Sequence, residues 1–235
     1  MIDPDERERQ VAELLAEWPS ELDGVLIGGY AVAAYGRARY SEGIDVLASS
    51  KSRSDWVRWL EANRLRKERT YVGPKEEGHE VEVQVWHRRD VSFDLMTGGI
   101  RDRVSHAVIP EAWILQDPQS VRLELLSGRV DSPVKVVRLE GLWAMKVLAG
   151  RPQDLTDLFG IMAQSVSLSE IREIFDSLEQ PALRRKFNST VKWMHEPKSY
   201  VDSLSRLRLG SPQLRENRSA WEHFVKMVMT ATSSR

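Results

Sequence analysis

Val25-Leu26-Ile27-Gly28-Gly29-Tyr30-Ala31, then Arg39-Tyr40-Ser41-Glu42-Gly43-Ile44-Asp45-Val46, and further on Val91-Ser92-Phe93-Asp94-Leu95-Met96 decide how this chain is read. The first stretch is a short apolar run that delivers two glycines into an alanine-rich helix. The second and third are strands that each present an acid. Side chains alternate faces along a strand, so Ser41, Gly43 and Asp45 share one side while Glu42 and Ile44 share the other. An aspartate set between apolar residues, as Asp94 is between Phe93 and Leu95, is costly to bury unless it is paired, hydrogen-bonded or on a metal. Backbone N–H groups at a glycine turn and clustered carboxylates are what metal-assisted phosphoryl chemistry needs.

Val11, Leu14, Leu15 and Trp18 recur at helical spacing before these stretches, and Pro19 ends that helix. After the second strand, Ser52–Asp55 is a polar cap region, and Trp56, Trp59, Leu60 and Asn63 mark a helix. Val81–Trp86 alternates by two, and Arg88-Arg89-Asp90 turns it into Val91–Met96 as a hairpin. From Leu139 the pattern is helical almost without interruption, and Ser167-Leu168-Ser169-Glu170 is a capping box ahead of Ile171, Ile174, Phe175 and Leu178. The expected class is α+β. Residues 1–135 would form a mixed, mostly antiparallel sheet with helices, and 136–235 an α-helical domain closing the cleft, with no internal repeat.

Composition narrows the chemistry. No cysteine is present, which excludes disulfides, thiolate catalysis and cysteine-based zinc sites. The five histidines show no ligand spacing, and the eight tryptophans mostly fall on helical stripes, where core packing explains them. The acidic start lacks the apolar core of a signal peptide, and no uncharged apolar run is long enough to span a bilayer. A cytoplasmic protein without membrane contact is therefore expected. Net charge is −1, yet residues 1–23 are acid-rich and residues 182–218 are rich in Lys and Arg. That basic stretch is either a solvated face or a platform for an RNA acceptor such as a tRNA end.

Taken together, the paired glycines, the Arg39-x-Ser41-x-Gly43-hydrophobic-Asp45 segment and the later hydrophobic-Asp94-hydrophobic strand resemble the nucleotidyltransferase superfamily with its polymerase-beta-like fold. Lys146 followed by Arg151-Pro152-Gln153-Asp154-Leu155-Thr156-Asp157-Leu158 is similar to the Lys…Arg-Asp-x-x-Asp-Leu segment of its AbiEii-type toxin branch. The resemblance spans about residues 24–162. It implies that Gly28 and Gly29 contact nucleotide phosphates, and that Asp45 and Asp94 hold Mg²⁺, Asp94 also activating the acceptor hydroxyl; Ser41 and Arg39 are further nucleotide-binding candidates, Arg39 being either a phosphate contact or a solvated arginine. It further implies that Lys146 and Asp157 face the nucleotide, and that a small DNA-binding antitoxin is the partner. The family pattern has an Asp where this chain has Gly43.

Mg²⁺ commonly takes one or two protein carboxylates and completes its shell with water and phosphate, so Asp45 and Asp94 alone could hold one Mg²⁺–NTP. Without the ligand at 43, fast turnover is not expected, whether Gly43 is natural or introduced. The reaction class the resemblance implies is transfer of NMP from an NTP to an acceptor hydroxyl on RNA or protein. The competing reading is a catalytically silent nucleotide-binding module that acts through partner contacts. Read on its own, Lys146 lies on the apolar face of its helix, where a lysine needs an anionic partner or snorkels at the stripe's edge. Asp154, just after Pro152, suits a structural place at a helix start.

Overall fold

Asp3 accepts the Asp5 N–H at 3.0 Å, Pro4 occupies the first helical position, and acids fill the first turn, so α1 (Pro4–Ala16) begins with the groups a helix N-terminus favours. The structure is a computed structural model and describes residues 3–73, 80–103, 105–161 and 181–194, with residues 166, 170, 171, 175, 176, 196, 219 and 222. Val11, Leu14 and Leu15 of α1 are buried, and so is Trp18 just past its end. Trp18 meets Trp56 edge-on, ring centroids 5.2 Å apart. Trp56 and Leu60 are the buried face of α3 (Arg53–Ala62), while α2 (Gly28–Ala34) follows β1 (Gly24–Ile27) without a loop.

The strands β2 (Gly43–Ala48), β3 (Arg66–Val72), β4 (Glu82–Arg88), β5 (Val91–Thr97), β8 (Gln119–Val121) and β9 (Val134–Val136) join β1 in one seven-stranded sheet, ordered β3-β4-β5-β2-β1-β9-β8. Two neighbour pairs, β2 with β5 and β1 with β9, run parallel, and the other four are antiparallel. The sheet is thus mixed and mostly antiparallel, with the expected β4–β5 hairpin in place. A small sheet of β6 (Gly99–Arg101) and β7 (Val108–Pro110) leads into the single turn α4 (Glu111–Ile114).

Residues of β3 are exposed throughout, and its sequence, Arg-Lys-Glu-Arg-Thr-Tyr-Val, carries no apolar alternation. Its strand character comes from the ladder with β4, which periodicity in its own sequence does not reveal.

The chain divides into two compact units, one of Met1–Arg103 with Val108–Leu142 and one of Val104–Ala107 with Trp143–Arg235. A division at 135/136 would cut β9, whose Val136 pairs with Leu26 of β1, so the first unit runs on to Leu142. The later elements are α5 (Leu139–Ala149), α6 (Pro152–Gly160) and α7 (Pro181–Met194). Within the second unit Phe159 of α6 packs on Trp193 of α7, centroids 6.0 Å apart, and the Thr190 hydroxyl donates to the Val147 carbonyl at 3.5 Å. Of the expected capping box, Ser167–Ser169 lie outside the described residues, as do residues 197–218 of the basic stretch. Among the described residues no helix is long and apolar enough to cross a membrane.

Candidate active site

The parallel pairing of β2 with β5 sets Asp45 directly beside Asp94, and Gly43 beside Ser92. In-register residues of parallel strands point to the same face, so the two carboxylates lie on one side of the sheet. Behind them Ile44, Val46, Phe93 and Leu95 are fully buried, which fixes the strands by their apolar face and leaves the half-buried acids on the other. The far ends of the same two strands are tied by one side chain. Glu111 accepts the Ser50 N–H at 3.0 Å, the Ser50 hydroxyl at 2.8 Å and the Gly98 N–H at 2.6 Å. Ser50 follows β2 and Gly98 follows β5, so this carboxylate secures the register that juxtaposes Asp45 and Asp94.

Gly28 has φ +69°, a left-handed conformation that favours glycine, and a Cβ built there would lie 2.0 Å from Asp45 Oδ2. The Asp45 carboxylate therefore rests directly over the glycine turn. A Cβ at Gly29 would meet Ser41 Oγ at 2.5 Å and Arg39 Nη2 at 3.0 Å, so the turn also receives the two polar residues that precede β2. They are held by local bonds. Arg39 Nη1 donates to the Tyr40 carbonyl at 2.9 Å, the Ser41 hydroxyl donates to the Gly43 carbonyl at 3.4 Å, and the Tyr30 hydroxyl donates to the Ser41 carbonyl at 3.3 Å. Burial, reinforced by the Glu8 charge, pushes the Tyr30 phenol up to about 12, so it stays a neutral donor. Gly28, Gly29, Arg39, Ser41 and Asp45 form one cluster, and Asp94 adjoins it through Asp45.

Burial raises the Asp94 pKa above the usual carboxylate value. The Ser92 hydrogen bond and the charges of His87, Arg69 and Arg103 pull the other way without overcoming it. A half-buried carboxylate penalised for its charge gains most from a cation. Two such oxygen donors on one face suit a hard cation that keeps water and phosphate in its shell, so the donor set fits Mg²⁺. Among the described residues no group of three or more His, Cys, Asp or Glu is placed to hold a metal. Ser92, which donates to Asp94 Oδ1 at 3.2 Å, was not among the residues the sequence singled out. Its place two residues before Asp94, on the same strand face, was the available signal. Glu111 gave none, because its partners, the Ser50 N–H and hydroxyl and the Gly98 N–H, are distant in sequence.

The second unit places the remaining candidates by themselves. Lys146 Nζ donates to Asp154 Oδ1 at 2.9 Å and to Asp157 Oδ2 at 2.8 Å, with the three side chains 5%, 2% and 0% exposed. Arg151 adds Nε to Asp154 Oδ2 at 2.6 Å, and Gln153 donates to Asp157 Oδ1 at 3.0 Å. Asp154 also accepts the Arg151 N–H at 3.3 Å, as an N-terminal cap of α6. The anion that the lysine's position demands is thus supplied by the chain itself.

The family model described as nucleotidyl transferase AbiEii toxin, type IV toxin–antitoxin system, matches residues 13–234. No curated protein matches the sequence. Among solved structures the chain is similar to JHP933 from Helicobacter pylori, with 15% identity, 98% of this chain and 94% of the other covered, and a TM-score of 0.41. It is also similar to the antibiotic-resistance factor ANT(2'')-Ia, at 15% identity, full coverage of both chains and a TM-score of 0.36. In complex with adenylyl-2''-tobramycin, ANT(2'')-Ia matches at 17% identity over 93% of this chain and 97% of the other, with a TM-score of 0.35.

Proposed function

This chain belongs to the AbiEii nucleotidyltransferase toxin family, and from that membership we propose that it transfers a nucleoside monophosphate from an NTP to an acceptor hydroxyl, with Asp45 and Asp94 as the groups that hold Mg²⁺. The observation that carries the reading is the register pairing of Asp45 with Asp94 beside the Gly28 turn. When bound, the cation would neutralise charge on the phosphates. The rest is work for the chain's own residues. The N–H groups of the Gly28-Gly29 turn, with Arg39 and Ser41, orient the phosphates. Asp94, whose pKa is already raised, accepts the proton as the acceptor oxygen bonds to the α-phosphorus. The bond between the α-phosphorus and its bridging oxygen breaks, and pyrophosphate leaves. Lys146 and Asp157 enter this reading as the ion cluster joining α5 to α6, since their contacts are already spent on one another.

The acceptor would be RNA such as a tRNA end, or a protein, and the setting a toxin with a small DNA-binding antitoxin. Incubation with each NTP labelled at the α-phosphate, with total RNA and with protein, tests the reading. Label on a macromolecule from the native chain, lost in Asp94→Asn, is the expected result. A silent nucleotide-binding module is the second reading, favoured by the pair of acids where the family pattern has three. It predicts Mg²⁺–NTP binding by calorimetry without label transfer.

A further inference from the structure

Neighbouring strands lie about 4.7–4.9 Å apart, so in-register side chains on parallel strands start at about that spacing. At Gly43 and Ser92 the two strands leave far less. A Cβ built on Gly43 would lie 2.7 Å from the Ser92 carbonyl oxygen and 2.9 Å from the Ser92 Cβ. The first obstacle is backbone, which cannot swing aside as a long side chain could. Gly43 is therefore not an empty seat from which a carboxylate is missing. Glycine within a strand marks a close approach of backbone, and here the approach is to the residue that serves Asp94. Ser92 fills the space on the acid face and donates its hydroxyl to Asp94 Oδ1 at 3.2 Å, while the Ser41 hydroxyl donates to the Gly43 carbonyl.

We propose that Gly43 and Ser92 are a matched pair that makes this a one-cation site, with the Ser92 hydroxyl as the positioning group for Asp94. The cation count rests on the reading above that Asp45 and Asp94 bind Mg²⁺; the steric pairing does not. A second ion about 3.5–4 Å from the first needs a shared carboxylate, and position 43 has no room for one while Ser92 stands opposite.

The test uses the full chain with Mn²⁺ as a paramagnetic probe, counted by electron paramagnetic resonance with a non-hydrolysable NTP, alongside thermal melting. The native chain should bind one Mn²⁺. Gly43→Ala should melt several degrees lower, and Ser92→Gly in the same chain should recover part of that loss, a coupling read by the double-mutant cycle. Gly43→Asp should melt lower than the native chain and bind no second ion, because the Ser92 carbonyl oxygen 2.7 Å from its Cβ is backbone. Ser92→Ala should keep the melting temperature and weaken Mn²⁺ binding about tenfold, as loss of a partner behind a metal ligand does. Gly43→Ala melting with the native chain, or Gly43→Asp alone taking up a second ion, would overturn the pairing. If no variant binds Mn²⁺–NTP, the proposed function fails, and the melting cycle still decides whether Gly43 and Ser92 are matched.

Discussion

Two groups of aspartates in this protein have opposite settings. Asp154 and Asp157 are buried and share Lys146, with Arg151 as a second cation on Asp154 and Gln153 donating to Asp157. Asp45 and Asp94 are half-buried, side by side on one face of the sheet, and Asp94 takes its bond from an uncharged hydroxyl. The first group has received its cation from the chain. The second is the pair proposed above to take Mg²⁺. On the proposed function, one residue type serves stability in one unit and ligand chemistry in the other.

That contrast is open to test by substitution. Lys146→Met should have the largest effect, because it strands two carboxylates in a dry environment; a loss of about 3–5 kcal/mol is expected in chemical denaturation. Asp45→Asn and Asp94→Asn should leave the fold intact yet lower nucleotidyl transfer about 100-fold or more, measured with α-labelled NTP. Gly28→Ala should weaken Mg²⁺–NTP binding about tenfold, since its Cβ would displace the Asp45 carboxylate and its φ of +69° suits glycine.

A pH series separates the groups more finely. Burial raises the Asp94 pKa, so the folded state holds that proton at pH values where the unfolded chain has released it. The ionised carboxylate thus opposes folding at neutral pH, and the penalty fades as pH falls through the raised pKa. Asp94→Asn should melt slightly above the native chain near neutrality, with the gap closing on acidification. Differential scanning calorimetry across that range reads the sign.

The sequence revealed the strands that carry the acids because each is a short apolar run interrupted by one charge, and β2, β4 and β5 lie where alternation put them. It did not reveal β3, whose exposed, highly charged residues become a strand only by pairing with β4. Nor did it place the end of the first unit, because β9 is a three-residue strand held by pairing with β1 and β8, which its own sequence does not reveal. Within the candidate site, the strand–glycine–helix run at Gly28 and the acid inside the apolar β2 are legible in the sequence, and their roles come from the family resemblance. The tightness at Gly43 is not legible there, since it depends on how closely β5 approaches. The place of Lys146 on an apolar stripe leaves an anionic partner and a snorkelling side chain both open, and sequence periodicity does not say which helix or ligand would supply the anion. Here α6 does, eight and eleven residues later.

Calorimetric titration of Mg²⁺–NTP into the native chain and into the Asp45→Asn/Asp94→Asn double variant settles whether the sheet acids are the cation site. Saturable heat in the native chain, absent from an equally stable double variant, is the expected result. Equal binding by both chains would contradict it.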